Sequence, residues 1–168
     1  MFYGNFKGDK GDRFQQALGT LKEIFSTVYA SDNLIALQRS AGFRSDPKFM
    51  AAFRKHAKTQ QEGSLGWRLH TLTWASRQAL ALDGDFVECG VWTGFSMGIV
   101  AEYVDFPTLD REMYLYDTFE GIPEEYNSEN RSNKAYEAQT ADDKDAIFKL
   151  AKARLKMASL SSAVCASY

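Results

Sequence analysis

Apolar residues recur at helical spacing through the first half of the chain. Phe14, Leu18, Leu21, Phe25 and Val28 follow one another at steps of four, three, four and three, which is one face of an amphipathic helix. Gly19 inside that helix costs roughly 1 kcal/mol against alanine. Asp46-Pro47 reads as a helix start, with Asp as the cap and Pro at the first helical position. Phe49, Phe53 and Ala57 then form a buried stripe. Ser64 opens a third helix through Leu65, Leu69, Leu72 and Leu80, with Trp67 and Trp74 beside them. Residues 1–12 carry three glycines and mixed charge and read as a loose arm. The pattern predicts a flexible arm over 1–12 and a helical segment over 13–82.

The period changes at the turn signal Asp83-Gly84. Residues 85–89 are short and mostly apolar, as in a strand. Residues 94–104 read as a helix that stops before Pro107, because Phe106 is pushed out of the α region. Met113-Tyr114-Leu115-Tyr116 is a second strand, closed by Asp117. Strand, glycine turn, helix and strand make a βαβ unit, whose crossover implies a parallel pair in an α/β sheet. Residues 121–140 form a polar stretch of a length that is usually functional or disordered. Thr140 with Asp143 resembles a capping box ahead of a helix through Ile147, Ala151 and Leu155. Asp142, Asp143 and Asp145 at its start, and Lys152, Arg154 and Lys156 near its end, complement the helix dipole. The tail from Met157 onward gives no clear pattern and no internal repeat is evident, so two clear strands are expected.

Composition narrows the class. The chain has 168 residues, 45% of them hydrophobic and 25% charged, which suits one soluble globular domain. With 20 basic against 22 acidic residues, no overall basic field marks a nucleic-acid binder or an anionic-membrane binder. No apolar run approaches the roughly 20 residues of a membrane span. Cys89 and Cys165 have no metal-ligand spacing. Two cysteines without a signal peptide imply free thiols and a cytoplasmic location. His56 and His70 lie on amphipathic helices and read as surface or packing residues.

The stretch GDFVECGVWTGFSMG, residues 84–98, admits two chemistries. Gly94-Phe95-Ser96-Met97-Gly98 spells the G-x-S-x-G of a serine hydrolase. A nucleophile elbow needs the strand to run straight into the serine, with the triad histidine later in the chain. Here Gly90 to Thr93 intervene, and both histidines precede Ser96, so the serine has no usual base. In the other reading, Gly90 brings backbone close to a cofactor, since it lacks Cβ and tolerates positive φ. Gly94 lets the helix begin against the strand, and its first N–H groups favour an anionic group. Gly98 reads as a packing glycine. Strand ends face one crevice in a parallel sheet, so Asp117 should lie beside this turn and accept from ribose hydroxyls. Trp92 and Phe95 stand where the dinucleotide fingerprint has glycine, which disfavours a pyrophosphate. S-adenosylmethionine (SAM) carries one nucleoside and no phosphate. Glu88 before the turn suits its ammonium group or organises the turn.

GDFVECGVWTG followed by YLYDTFEGIP resembles the macrocin O-methyltransferase (TylF/MycF-like) family of class I SAM-dependent methyltransferases. The resemblance is firmest over residues 84–123 and extends from about Trp67. It implies a Rossmann-like fold, with residues 83–168 as the N-terminal half of the SAM-binding domain. It also implies a SAM site of Glu88, Gly90, Val91, Trp92, Ser96 and Asp117, with Thr118 and Phe119 near the adenosine. A divalent metal, usually Mg2+, and methylation of a hydroxyl on a sugar-like small molecule are implied as well. Thr93 and Phe95 stand where the family often has a basic and a small residue, which leaves the substrate side less defined. The family's seven-strand sheet exceeds the two strands legible here, so a truncated or frameshifted member, inactive alone, is expected. No catalytic or metal residue carries over. A non-catalytic nucleoside-binding or interaction module and a different nucleotide-using enzyme, such as a dehydrogenase, are the alternatives. Sequence alone leaves open whether the chain forms a homo-oligomer.

Overall fold

The computed structural model describes residues 8–119, 144–160 and 164–166. The chain divides into two compact units, residues 1–75 and 76–168. The N-terminal unit begins with helix α1 (Asp9–Ile24), so residues 9–12 are helical and not part of a loose arm. Asp9 and Asp12 in its first turn favour that start. The helix stops at Phe25, whose backbone is extended.

A β-hairpin replaces the helix expected here. Strands β1 (Val28–Ser31) and β2 (Leu34–Leu37) pair antiparallel, with Ser31 opposite Leu34. Asp32 and Asn33 make the two-residue loop, at φ 53° and 57°. Asp and Asn tolerate this left-handed backbone, and two such residues set the tight turn that matches strand twist. Val28 therefore belongs to β1, although its spacing from Phe25 imitates a helical face. Arg68 reaches across to Asp32 with paired hydrogen bonds of 2.7 and 2.8 Å.

The helix start at Asp46-Pro47 is as expected. Helix α2 (Pro47–His56) is capped by Asp46, whose Oδ1 accepts from the Phe49 N–H at 2.9 Å. Phe49 and Phe53 are buried on its inner face, joined by Ala52 and His56, while Ala57 is the half-buried C-cap. The next helix does not open at Ser64. Thr59 and Glu62 form a capping box for the short helix α3 (Gln60–Gly63), and Ser64 caps its end before α4 (Gly66–Ala79). Tyr29, Phe43, Phe49 and Trp67 assemble the aromatic core of this unit, with ring centroids 5.2–6.1 Å apart. Edge-to-face contacts of this kind contribute beyond area burial.

The C-terminal unit contains a parallel sheet in the order β3-β4-β5. Strand β3 (Phe86–Cys89) pairs with β4 (Met113–Tyr116), Phe86 opposite Met113 and Cys89 opposite Tyr116. Both strands fall where the apolar runs place them, and the parallel pair follows from the helical crossover between them. Strand β5 (Val164–Ala166) adds to the far side of β4, so a third strand is present after all. Three residues of small and mixed character are too few to show a period. Helix α5 (Phe95–Tyr103) follows β3 and is apolar on all sides, with Ile99, Val100 and Ala101 fully buried. Such a helix belongs in a core. On β4, Met113 and Leu115 are buried, and the register puts Phe86 and Glu88 of β3 on the same face. The alternate face carries Val87, which is 62% exposed.

Helix α6 (Lys144–Met157) buries Ile147, Ala151 and Leu155, the stripe read from the sequence. Residues 121–140, and the Thr140–Asp143 box, lie outside the described residues. Arg111 ties the entry to β3 by donating to the carbonyls of Leu80, Leu82 and Gly84.

Candidate cofactor site

The turn after β3 is shaped by backbone that only a few residue types accept. Gly90 has φ +90° and its N–H donates to the Tyr116 carbonyl at 2.7 Å, extending the parallel ladder past the strand ends. A Cβ added at Gly90 would meet nothing within 4 Å, so the backbone there borders open space. Gly94, at φ +69°, is the N-cap of α5. A Cβ on it would lie 3.3 Å from the Cα and carbonyl oxygen of Ala151, so glycine is needed both for the turn and for the approach of α6.

Trp92 also sits at positive φ, 46°, which is costly for a bulky side chain. Its N–H donates to Asp117 Oδ2 at 2.7 Å. The other carboxylate oxygen of Asp117 accepts from the Phe119 N–H at 2.7 Å. One carboxylate at the end of β4 thus joins the loops that follow both strands. Each oxygen keeps a further lone pair, because a carboxylate has about four acceptor positions.

Glu88, half-buried beside the turn, accepts from Ser96 Oγ through Oε1 at 2.8 Å. Its Oε2 is buried and has no hydrogen-bond partner among the described residues. Burial pushes the Glu88 carboxyl above its ordinary value of 4.5; the Ser96 bond works against this, and the Asp117 charge adds to it. A buried acceptor left unpaired costs free energy that a ligand donor can recover.

Arg154 completes the support and was not visible as such in the sequence. It lies 5% exposed on α6, donating to Thr93 Oγ1 at 2.6 Å, with its guanidinium 5.6 Å from the Phe95 ring centroid. Its expected role near the helix end was to complement the dipole. The signal for burial was its position three residues after Ala151 and one before Leu155, on the apolar stripe. Phe119, Ile147 and Ala151 form a buried cluster against which Trp92 and Phe148 pack.

Among the residues expected at the site, Glu88, Gly90, Trp92, Ser96 and Asp117 are brought together by these bonds. Val91 is 2% exposed and faces the interior, Thr118 is exposed, and Phe119 is held in the α6 cluster. Ser96 is committed to a carboxylate in the first turn of α5, while His56 and His70 belong to the N-terminal unit. No imidazole is hydrogen-bonded to this serine, in keeping with the rejection of the hydrolase pattern. Among the described residues no group of three or more histidine, cysteine or acidic side chains could hold a metal ion such as Mg2+. No helix among the described residues is long and apolar enough to cross a membrane.

The candidate site thus combines a parallel strand pair, a glycine turn, a buried carboxylate oxygen without a partner among the described residues and a second carboxylate across the turn. The chain belongs to the macrocin O-methyltransferase (TylF) family, whose model matches residues 12–156. The solved structure of the O-methyltransferase NovP is also similar, at 18% identity and a TM-score of 0.39. That match covers 58% of this chain and 42% of NovP, so the chain spans less than half the length of that protein. No curated protein sequence matches the chain.

Proposed function

We propose that the chain is the cofactor-binding portion of a SAM-dependent O-methyltransferase with a Rossmann-like class I fold. The observation that carries this reading is the pairing of the free Glu88 Oε2 with the open backbone at Gly90. SAM supplies a methyl group already activated as a sulfonium. The chain's part is to bind and orient it. The Glu88 carboxylate would accept from the ammonium group, satisfying the oxygen now unpaired. Gly90 leaves room beside the backbone. Asp117, already positioned by two backbone N–H groups, would use its remaining lone pairs for ribose hydroxyls. Thr118 and Phe119 follow it toward the adenosine side, and Val91 and Ser96 support the turn. The acceptor would be a hydroxyl of a sugar-like small molecule. Holding donor and acceptor in line supplies much of the rate gain in such transfers.

Equilibrium dialysis with radiolabelled SAM and with NADH tests this. One SAM per chain is expected, with NADH unbound. Retention of NADH and not SAM would assign the turn to a dinucleotide enzyme. Incubation with labelled SAM and glycosylated acceptors tests methyl transfer; binding without transfer is expected of the cofactor-binding portion alone, and multiple-turnover transfer would show that the chain builds a complete site.

A further inference from the structure

We propose that the N-terminal unit carries a binding site of its own, for a small organic anion made of a planar ring and a phosphate group. The site is a cavity of about 700 Å³ lined by residues of this unit alone. That volume falls within the range of about 300–1,000 Å³ typical of small-molecule pockets. Its walls include the buried rings of Tyr29, Phe43 and Phe53, and its cations are Lys22, Arg44 and Arg54. No carboxylate is among the described residues that line it.

Among the described residues none of the three cations makes an ion pair, in contrast to Arg13 with Asp9 and Arg68 with Asp32. Arg44 is steadied instead by aromatic faces, its guanidinium 5.9 Å from the centroids of both Tyr29 and Phe43. This fixes a planar donor fork beside the cavity, an arrangement suited to a phosphate. Exposed cations are ordinarily solvated and scattered. Here the chain segment 1–75 has eleven basic against six acidic residues, a net of +5 in a chain whose total is −2. The positive charge therefore accumulates in the unit that holds the cavity. Aromatic walls take the ring, and the cations take the phosphate. Gly63 also lines the cavity, and a Cβ added there would meet nothing within 4 Å.

Calorimetric titration of the whole chain tests the site, with phenyl phosphate and adenosine monophosphate as probes. Adenosine and inorganic phosphate represent the separate halves. At least one ringed phosphate should bind with one-to-one stoichiometry, at least tenfold more tightly than either half, and more weakly as salt is raised. Preference for phenyl phosphate would mark an aryl phosphate site, and preference for the nucleotide a nucleoside phosphate site. The double variant Arg44→Gln/Arg54→Gln should lose tenfold or more in affinity. Gly63→Phe should remove binding by filling the cavity while the melting temperature is retained. Two further results would overturn the proposal: no saturable binding at millimolar probe, or binding that the arginine variant leaves unchanged. Nucleotide binding that Asp117→Ala removes and the arginine variant does not would place it at the other turn and equally exclude this site.

Discussion

Asp117→Ala is expected to weaken SAM binding roughly tenfold to a hundredfold, while Asp110→Ala leaves it unchanged. Both variants remove one negative charge, so any general field effect is common to them. Asp110 is exposed in the turn before β4. Asp117 closes β4 and accepts from the N–H groups of Trp92 and Phe119. Losing a charged acceptor to ribose costs roughly 1.5–3 kcal/mol. The variant also leaves two backbone donors without their carboxylate and frees Trp92 from an unfavourable left-handed backbone. Calorimetry should therefore be paired with a melting curve, and affinity compared at temperatures where both variants are folded. Equal affinities for Asp110→Ala and Asp117→Ala would remove Asp117 from the site.

Glu88→Gln is expected to separate stability from binding. The carboxyl of Glu88 is raised mainly by burial, against the hydrogen bond from Ser96, with the charge of Asp117 adding to the rise. A group whose folded value lies above its unfolded value stabilises the fold when protonated. That stabilisation is fully present below 4.5 and is lost as pH rises through the raised folded value. Above that window the ionised Glu88 is thus a liability to the fold. The neutral glutamine keeps an acceptor for Ser96 and should raise the melting temperature by roughly 2–4 °C for each kcal/mol relieved. SAM binding runs the other way. An ionised Glu88 holds the ammonium, so affinity should rise with pH through the same window, and Glu88→Gln should lose both affinity and that pH dependence. Retained affinity in the glutamine variant would leave the carboxylate with a packing role only.

The parts of the fold legible from sequence were those fixed by short-range chemistry. Asp46-Pro47 announces a helix because a cap and a preset φ act within one turn. Met113–Tyr116 reads as a strand because it is apolar and ends at a polar residue. The glycine turn was readable because Gly90 and Gly94 occupy backbone that other residues resist. What was hidden depended on tertiary context. Val28 fits a helical spacing but sits in a strand, because the Asp32-Asn33 loop pairs it with Leu37. Strand β5 is only three residues long and is recruited by the open side of β4. Arg154 reads as a surface cation until Thr93, 61 positions earlier, supplies its buried partner. Within the site, Glu88 and Asp117 were legible as carboxylates near the turn. Their division of labour, with Asp117 bonded to backbone and Glu88 holding a free oxygen, was not.

SAM is expected to sit against the turn between β3 and α5. An amide NMR spectrum recorded during titration with SAM tests it most directly. Saturable one-to-one shifts are expected, concentrated at the N–H groups of Gly90, Trp92 and Phe119, with saturation moved to roughly tenfold to a hundredfold higher SAM when Asp117 is replaced by alanine. SAM binding with shifts confined to other residues, or no binding at millimolar SAM, would contradict it.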